Sequence, residues 1–325
     1  MKFAELKKSL KEKILPAYLI VGNDNFLVNR SYELILDAVH ITMPDMNISP
    51  FNEDEVDFEN VVKALNTLPF FEDKRLVYVN LINKNANVVK NIKALDEYFA
   101  NINTQSVLVI NCGSENKDYL KPYLQKIEVV DCNKLPRDLV FSFMNAEVKK
   151  HGKTFQSAGL QKLFDYTIGD LSKMNQELLK LVSFVGDRNE ITDEDVALIC
   201  TKSVEFQIFE LTNALAKKQG DKVFEILNIL KAKKDEYRTI VGLIYNSFRR
   251  LLYVSITNEP NAKLAQMLGV QEYAIQKTKE QAKLFTKKAL KEINDICMQI
   301  DYEIKNSNIT VNNGVDYLVL KILNC

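Results

Sequence analysis

Two kinds of apolar spacing divide the chain. Up to about residue 135, short apolar runs alternate with segments whose apolar residues recur every three or four positions. The runs are Tyr18-Leu19-Ile20-Val21, Leu76-Val77-Tyr78-Val79, Val107-Leu108-Val109-Ile110 and Ile127-Glu128-Val129-Val130. Apolar residues at consecutive positions are the mark of parallel strands buried on both faces. A short extended piece at Asn47–Phe51 adds one more strand. Helical spacing appears over Met1–Pro16, over 26–39 with Phe26, Leu27, Ile35, Leu36 and Val39, over Phe58, Val61, Val62 and Leu65, and over 88–99. This order predicts an α/β domain over 1–135, a parallel sheet with helices on both faces.

Beyond Lys134-Leu135-Pro136 the strands stop. Pro136 suits the first turn of a helix, and the spacing stays helical over 136–150, up to Gly152. Helices follow at about 157–166 and 170–185, the second closed by Gly186, and Thr192 is a suitable N-cap for a short helix through Asp193. These form a small helical domain over 136–204. An all-α domain over 205–325 completes the chain. In it Phe206, Phe209, Ala214 and Leu215 make one face, and Phe224, Leu227 and Leu230 a second. Ile240, Val241, Ile244, Phe248, Leu251 and Leu252 make a long third, and Leu264, Leu268 and Val270 a short piece. Thr286 opens a helix running through Leu290, Ile293, Cys297, Ile300 and Ile304, and Val315 to Leu323 form the last.

Composition narrows the class. A length of 325 residues allows two or three domains. The 46% hydrophobic and 26% charged fractions are those of a soluble globular protein. The 43 basic residues are balanced by 43 acidic ones, which argues against a surface wholly devoted to nucleic acid but leaves room for a local basic patch. The five cysteines, Cys112, Cys132, Cys200, Cys297 and Cys325, are scattered and odd in number, so they read as reduced thiols of a cytoplasmic protein. The lysine-rich N-terminus lacks the apolar core of a signal peptide, and no stretch is long enough to span a membrane.

The most telling chemistry is a phosphate-binding loop without its parts. The first strand runs straight into Gly22 and then a helix, the position of a P-loop. A working loop needs further glycine and a Lys-Ser/Thr pair, so that backbone N–H groups and an ammonium surround the phosphates. Here the loop reads Gly22-Asn23-Asp24-Asn25-Phe26-Leu27-Val28, and no lysine lies between Lys13 and Lys63. Magnesium-binding acids are missing too: the strand at Leu76–Val79 ends in Asn80 and that at Val107–Ile110 in Asn111. His40 and His151, the two histidines, read as surface residues at helix ends. No Cys/His spacing fits zinc, and no acidic loop fits calcium.

Two features point to partners instead. Leu68-Pro69-Phe70-Phe71 lies in a helix-to-strand connection, followed by Glu72-Asp73-Lys74-Arg75. Pro69 stops the helix, and two adjacent rings do not easily point into one core. They form either an exposed protein-binding anchor or a plug under the sheet, and the residues alone leave both open. Lysines 277, 279, 283, 287, 288 and 291 form a basic stretch over 277–291. It reads first as a solvated helix face, with Lys283, Lys287 and Lys288 as the candidates for DNA phosphates.

Taken together, these segments resemble the delta subunit of the bacterial DNA polymerase III clamp loader, nearly end to end. The resemblance rests on Pro16 to Asp24, on Leu68 to Val77, on Gly169-Asp170-Leu171 with Glu177 to Leu181, on Ile191 to Val196, on Phe248-Arg249-Arg250-Leu251-Leu252 and on Asp301 to Lys305. It implies an AAA+-like α/β domain, a helical lid and a helical collar that joins a ring of subunits. It implies no useful nucleotide binding and no cofactor; Ser172 stands where active relatives carry an arginine. It implies a non-catalytic cytoplasmic subunit of a polymerase holoenzyme that opens the sliding clamp for loading onto primed DNA. The implied partners are the clamp, the delta-prime and tau/gamma ATPase subunits through the collar, and primer-template DNA. The clamp-binding positions fall on Phe70 and Phe71, flanked by Leu68 and Pro69. The alternatives are an active ATPase with an atypical loop and an ATPase-derived scaffold outside replication.

Overall fold

The computed structural model describes residues 1–82, 89–113, 118–232, 240–270 and 272–324. They form two compact units, Met1–Leu135 and Pro136–Cys325.

The first unit is built on five parallel strands: β1 (Ala17–Val21), β2 (Ile48–Phe51), β4 (Arg75–Asn80), β6 (Ser106–Gly113) and β7 (Glu128–Asp131), in the order β2-β4-β6-β1-β7. Pairing of Ala17 with Leu108 and of Val77 with Leu108 sets alternate residues on opposite faces. One face, with Leu19, Val77, Val79, Leu108 and Ile110, packs on Phe58, Val61 and Leu65 of α4 (Phe58–Asn66) and on Leu95, Tyr98 and Phe99 of α5 (Ala94–Ala100). The other side is covered by α1 (Phe3–Glu12) and α2 (Asn25–Val39), which bury Phe3, Leu6 and Leu10, and Leu27, Val28 and Ile35. A single turn, α3 (Pro44–Asn47), leads into β2. The helix expected over 88–99 is shorter. Val89–Lys90 form β5, paired parallel with β3 (Val56–Asp57), and the helix starts only at Ala94; residue 88 lies outside the described residues. Asn91, left-handed at φ 53° and donating to Asp57 Oδ1 at 3.0 Å, separates the two elements.

The second unit opens with α6 (Arg137–Lys150), α7 (Ser157–Thr167), α8 (Leu171–Val185) and α9 (Asp193–Ile199). Pro136 is the N-cap of α6 and not its first helical residue. Thr192 caps α9 in a reciprocal box: its hydroxyl accepts from the Asp195 N–H while the Asp195 carboxylate accepts from the Thr192 N–H. Strands do not stop at residue 136: Thr154–Phe155 (β8) and Glu190–Ile191 (β9) pair in parallel, too short to leave a pattern.

Helices α10 (Val204–Ala216), α11 (Gly220–Ala232), α12 (Ile240–Ile256), α13 (Asn261–Leu268), α14 (Glu272–Ala282), α15 (Lys287–Lys305) and α16 (Val311–Leu323) enclose one apolar core. Its α10 face is Ile208, Leu211, Ala214 and Leu215, with Phe206 and Phe209 only half-buried; on α11, Val223 and Ile226 are buried and Phe224 is exposed. Phe206 instead stacks on Tyr166 of α7, 5.0 Å between centroids. Helix α14 meets α7 through Tyr273, whose hydroxyl donates to Asp165 Oδ1 at 2.6 Å and accepts from Gln161 Nε2 at 3.2 Å. Burial, then the Asp165 carboxylate, raise the Tyr273 pKa, so it stays a donor at any physiological pH.

The four described cysteines are buried and form no disulfide. Burial pushes the Cys132 thiol up to about 11 and those of Cys200 and Cys297 to about 12. His40 and His151 are exposed C-caps, of α2 and α6.

Candidate functional site

The loop Gly22–Asn25, expected to be an altered phosphate loop, joins β1 to α2, and several of its polar groups bond within the protein. The Gly22 N–H donates to Gly113 O (2.9 Å) and the Asp24 N–H to Cys132 O (3.1 Å). Asn23 Oδ1 accepts from the Lys134 N–H at 3.0 Å. Asp24 caps α2, its carboxylate accepting from the Leu27 N–H at 3.1 Å. A helix N-terminus favours an anion, and here a side-chain carboxylate already stands there. Asn25 is the exposed first residue of α2, while Leu27 and Val28 belong to the core. Gly22 allows close approach of another kind than phosphate: a Cβ on it would lie 2.1 Å from the Cys132 carbonyl carbon.

The strand ends carry amides in structural roles. Asn80 Oδ1 accepts from the Ile82 N–H (3.1 Å), and buried Asn111 donates to the Tyr78 hydroxyl (3.2 Å). Ser172 is exposed in the first turn of α8. Among the described residues no three His, Cys, Asp or Glu gather to hold a metal ion, and no helix is long and apolar enough to cross a membrane.

The segment after α4 does not plug the sheet. Leu68 is 69% exposed, Phe70 48% and Phe71 85%, with Pro69 half-buried between them. The two rings meet edge to face, 4.6 Å between centroids and 80° between planes. Phe71 is left-handed, φ 51°, a conformation that costs a residue with a Cβ about 1–2 kcal/mol.

Three side chains tie this loop to the segment 42–49. Asn47, fully buried at the end of α3, accepts from the Phe70 N–H at 2.7 Å and donates to the Phe70 carbonyl at 3.0 Å. Glu72 Oε1 accepts from the Thr42 N–H (2.7 Å), the Thr42 hydroxyl (2.9 Å) and the Met43 N–H (2.7 Å). Desolvation raises the Glu72 carboxyl, but these three bonds outweigh it and hold its pKa below the ordinary carboxylate value. Arg75, only 6% exposed, donates to Ser49 Oγ at 2.8 Å and weakly to the carbonyls of Thr67 and Leu68 at 3.5 Å. Desolvation lowers its pKa. Thr42, Asn47, Glu72 and Arg75 had no signal of their own in the sequence, because each acts on a residue far along the chain.

The basic stretch divides. Lys277 lies over the Tyr273 ring at 5.6 Å and Lys279 donates to Glu259 O, both half-buried. Lys283, Lys287, Lys288 and Lys291 are exposed around the start of α15, with Lys288 3.8 Å from Glu292. Lys305 pairs with Asp301 at 2.5 Å, as the four-residue spacing predicts.

Residues 18–133 match the family model for DNA polymerase III, delta subunit, and residues 205–322 that for the DNA polymerase III delta subunit, C-terminal domain. The chain belongs to the DNA polymerase III delta subunit family. DNA polymerase III subunit delta of Bacillus subtilis (strain 168) is 26% identical to this delta-family chain over 97% of its length and 95% of the relative's. The subunit delta of Buchnera aphidicola subsp. Acyrthosiphon pisum (strain APS) is 22% identical over 98% of each. The solved structure of the Bacillus subtilis DNA clamp loader delta protein superimposes with a TM-score of 0.76 at 25% identity, covering 99% of this chain and 100% of that one. The parallel sheet followed by a largely helical region is therefore the delta-family fold.

Proposed function

We propose that this chain is a clamp-loader subunit of DNA polymerase III that binds a sliding clamp through Leu68, Pro69, Phe70 and Phe71 and holds one interface of the ring open. The observation that carries this reading is the Phe70–Phe71 pair, exposed and stacked on a loop tied down at three places, in a chain of the delta family. An apolar tip on a rigid support is what a partner-binding anchor requires. A subunit that binds the opened ring more tightly than the closed one shifts that equilibrium by its differential affinity, without hydrolysis. Calorimetric titration of the chain with a bacterial sliding clamp tests the reading: saturable binding supports it, and its absence leaves an ATPase-derived scaffold.

The chain has no catalytic activity of its own, and the loop Gly22-Asn23-Asp24-Asn25 does not bind nucleotide, because the Asp24 carboxylate occupies its helix N-terminus and the Gly22 and Asp24 N–H groups already bond to the protein. A bound ligand stabilises a fold by about 2.7 kcal/mol at a hundred times its Kd. Millimolar ATP with magnesium is expected to leave the melting temperature unchanged. An upward shift of several degrees would restore the ATPase alternative.

Within the second unit, 136–204 serves as lid and 205–325 as the collar that joins the delta-prime and tau/gamma ATPase subunits in the cytoplasm. Residues 205–322, matched by a family model of their own, support that division. In the assembled loader the exposed Lys283, Lys287 and Lys288 bind primer-template phosphates. Replacing all three by alanine should then flatten the salt dependence of DNA binding by roughly 0.9 for each phosphate no longer neutralised, about 2 to 3 in log–log slope. An unchanged slope assigns them to solvent.

A further inference from the structure

We infer that Asn47 is the positioning residue of the Phe70–Phe71 tip: its buried amide grips the Phe70 backbone by both N–H and carbonyl and so keeps Phe71 in the left-handed conformation that presents the two rings. The inference rests on the clamp-binding reading for its consequence, though not for its geometry.

A side-chain-bearing residue stays left-handed only where its surroundings over-determine it. Among the described residues, no backbone–backbone hydrogen bond outside helices and strands involves residues 68–74. Bonds made by side chains therefore hold the loop. Glu72 engages Thr42 and Met43 beyond the rings, and Arg75 reaches Thr67 and Leu68 before them, at 3.5 Å. Asn47 is the side chain that bonds a ring-bearing residue itself, with two bonds of 2.7 and 3.0 Å.

Asn47 can do this because it is fixed on its own account. Its N–H donates to Met43 O at 3.1 Å, and the next residue, Ile48, begins the edge strand β2, paired with Leu76 of β4. The amide thus transmits the position of the sheet edge to the tip. With no exposed surface, it meets no water that would compete for the Phe70 groups. A tip that samples other conformations binds with its intrinsic affinity reduced by the competent fraction.

Two measurements on the full chain test this, using a bacterial sliding clamp as the probe. In the unmutated chain the Phe70 amide should exchange with deuterium much more slowly than that of Phe71, which has no acceptor among the described residues. Asn47→Ala should abolish that protection, leave exchange in Arg75–Asn80 unchanged, and raise the Kd for the clamp about tenfold with both rings present. Asn47→Asp keeps an acceptor for the Phe70 N–H and loses the donor to its carbonyl, so it should retain part of the protection. Equal exchange at Phe70 and Phe71 in the unmutated chain overturns the inference. So does clamp affinity unchanged in a folded Asn47→Ala variant. If the unmutated chain fails to bind the clamp, the clamp reading falls, and the exchange contrast alone decides whether Asn47 holds the tip.

Discussion

Alanine at both Phe70 and Phe71 is expected to weaken clamp binding at least a hundredfold while the unfolding of the chain stays as it was. Both halves follow from exposure. Phe71 is 85% and Phe70 48% exposed, so docking removes much of both rings from water. Full burial of a phenylalanine side chain is worth roughly 1.5–3 kcal/mol, and central aromatic anchors commonly cost about 2 kcal/mol or more when truncated. Two such truncations give about 3–5 kcal/mol, and each 1.4 kcal/mol is about a factor of ten. The difference in exposure also ranks the single variants: Phe71→Ala should cost more than Phe70→Ala. Surface truncations of this kind leave no cavity and usually fall within about 0.5 kcal/mol in stability. Calorimetric titration with the clamp, alongside circular-dichroism melting of the same samples, reads both quantities. Binding that survives the double change in a folded chain would move the site elsewhere on the molecule.

The contrast between what the sequence shows and what it hides follows the range of the interactions. Strands β1, β4 and β6 are legible because burial on both faces leaves apolar runs, and β7, an edge strand that buries only Val130, is legible from the short run Ile127 to Val130. Thr192 is legible as a cap, and Thr286 as a helix start, because an N-cap hydroxyl and the N–H it accepts from lie three residues apart. The pairs β3–β5 and β8–β9 are not legible, since two-residue strands have no period. Helix α14 escapes for want of apolar residues, with Ile275 and Ala282 the only ones it buries. Phe206, Phe209 and Phe224 mislead in the opposite sense: they keep helical spacing but lie beside the buried stripe. At the tip, the rings are visible in Leu68-Pro69-Phe70-Phe71, but their support is not. Asn47 acts 23 residues away from Phe70, and Arg75 reads as a surface charge until its neighbours close over it.

Gly22→Ala is expected to destabilise the first unit by about 3 kcal/mol, because backbone atoms fill the place of its Cβ. In a working P-loop such a glycine lets phosphate approach the backbone. Here the same freedom admits the chain leaving β7: a Cβ would stand 2.1 and 2.2 Å from the Cys132 carbonyl carbon and oxygen, and 2.6 Å from the Asn133 nitrogen. All three are backbone atoms, so no rotamer change relieves the overlap. Relief requires moving β7 away from β1, which strains the Cys132 N–H bond to Val21 O and the Asp24 N–H bond to Cys132 O. The Ser31 hydroxyl, 3.1 Å from Cys132 Sγ, would be displaced as well. Overpacking costs roughly 1–3 kcal/mol in a core that can yield, and this overlap lies at the stiff end of that range. At about 2–4 °C per kcal/mol for a unit of this size class, the melting temperature should fall by roughly 10 °C. Gly242→Ala supplies the opposite sign in the same assay. Gly242 lies within α12 with nothing within 4 Å of its Cβ position, so alanine there should stabilise its helix by about 0.5–1 kcal/mol. A Gly22→Ala chain melting within a degree or two of the parent would refute the close approach of β7. The predicted fall would show that Gly22 is a packing requirement of the sheet.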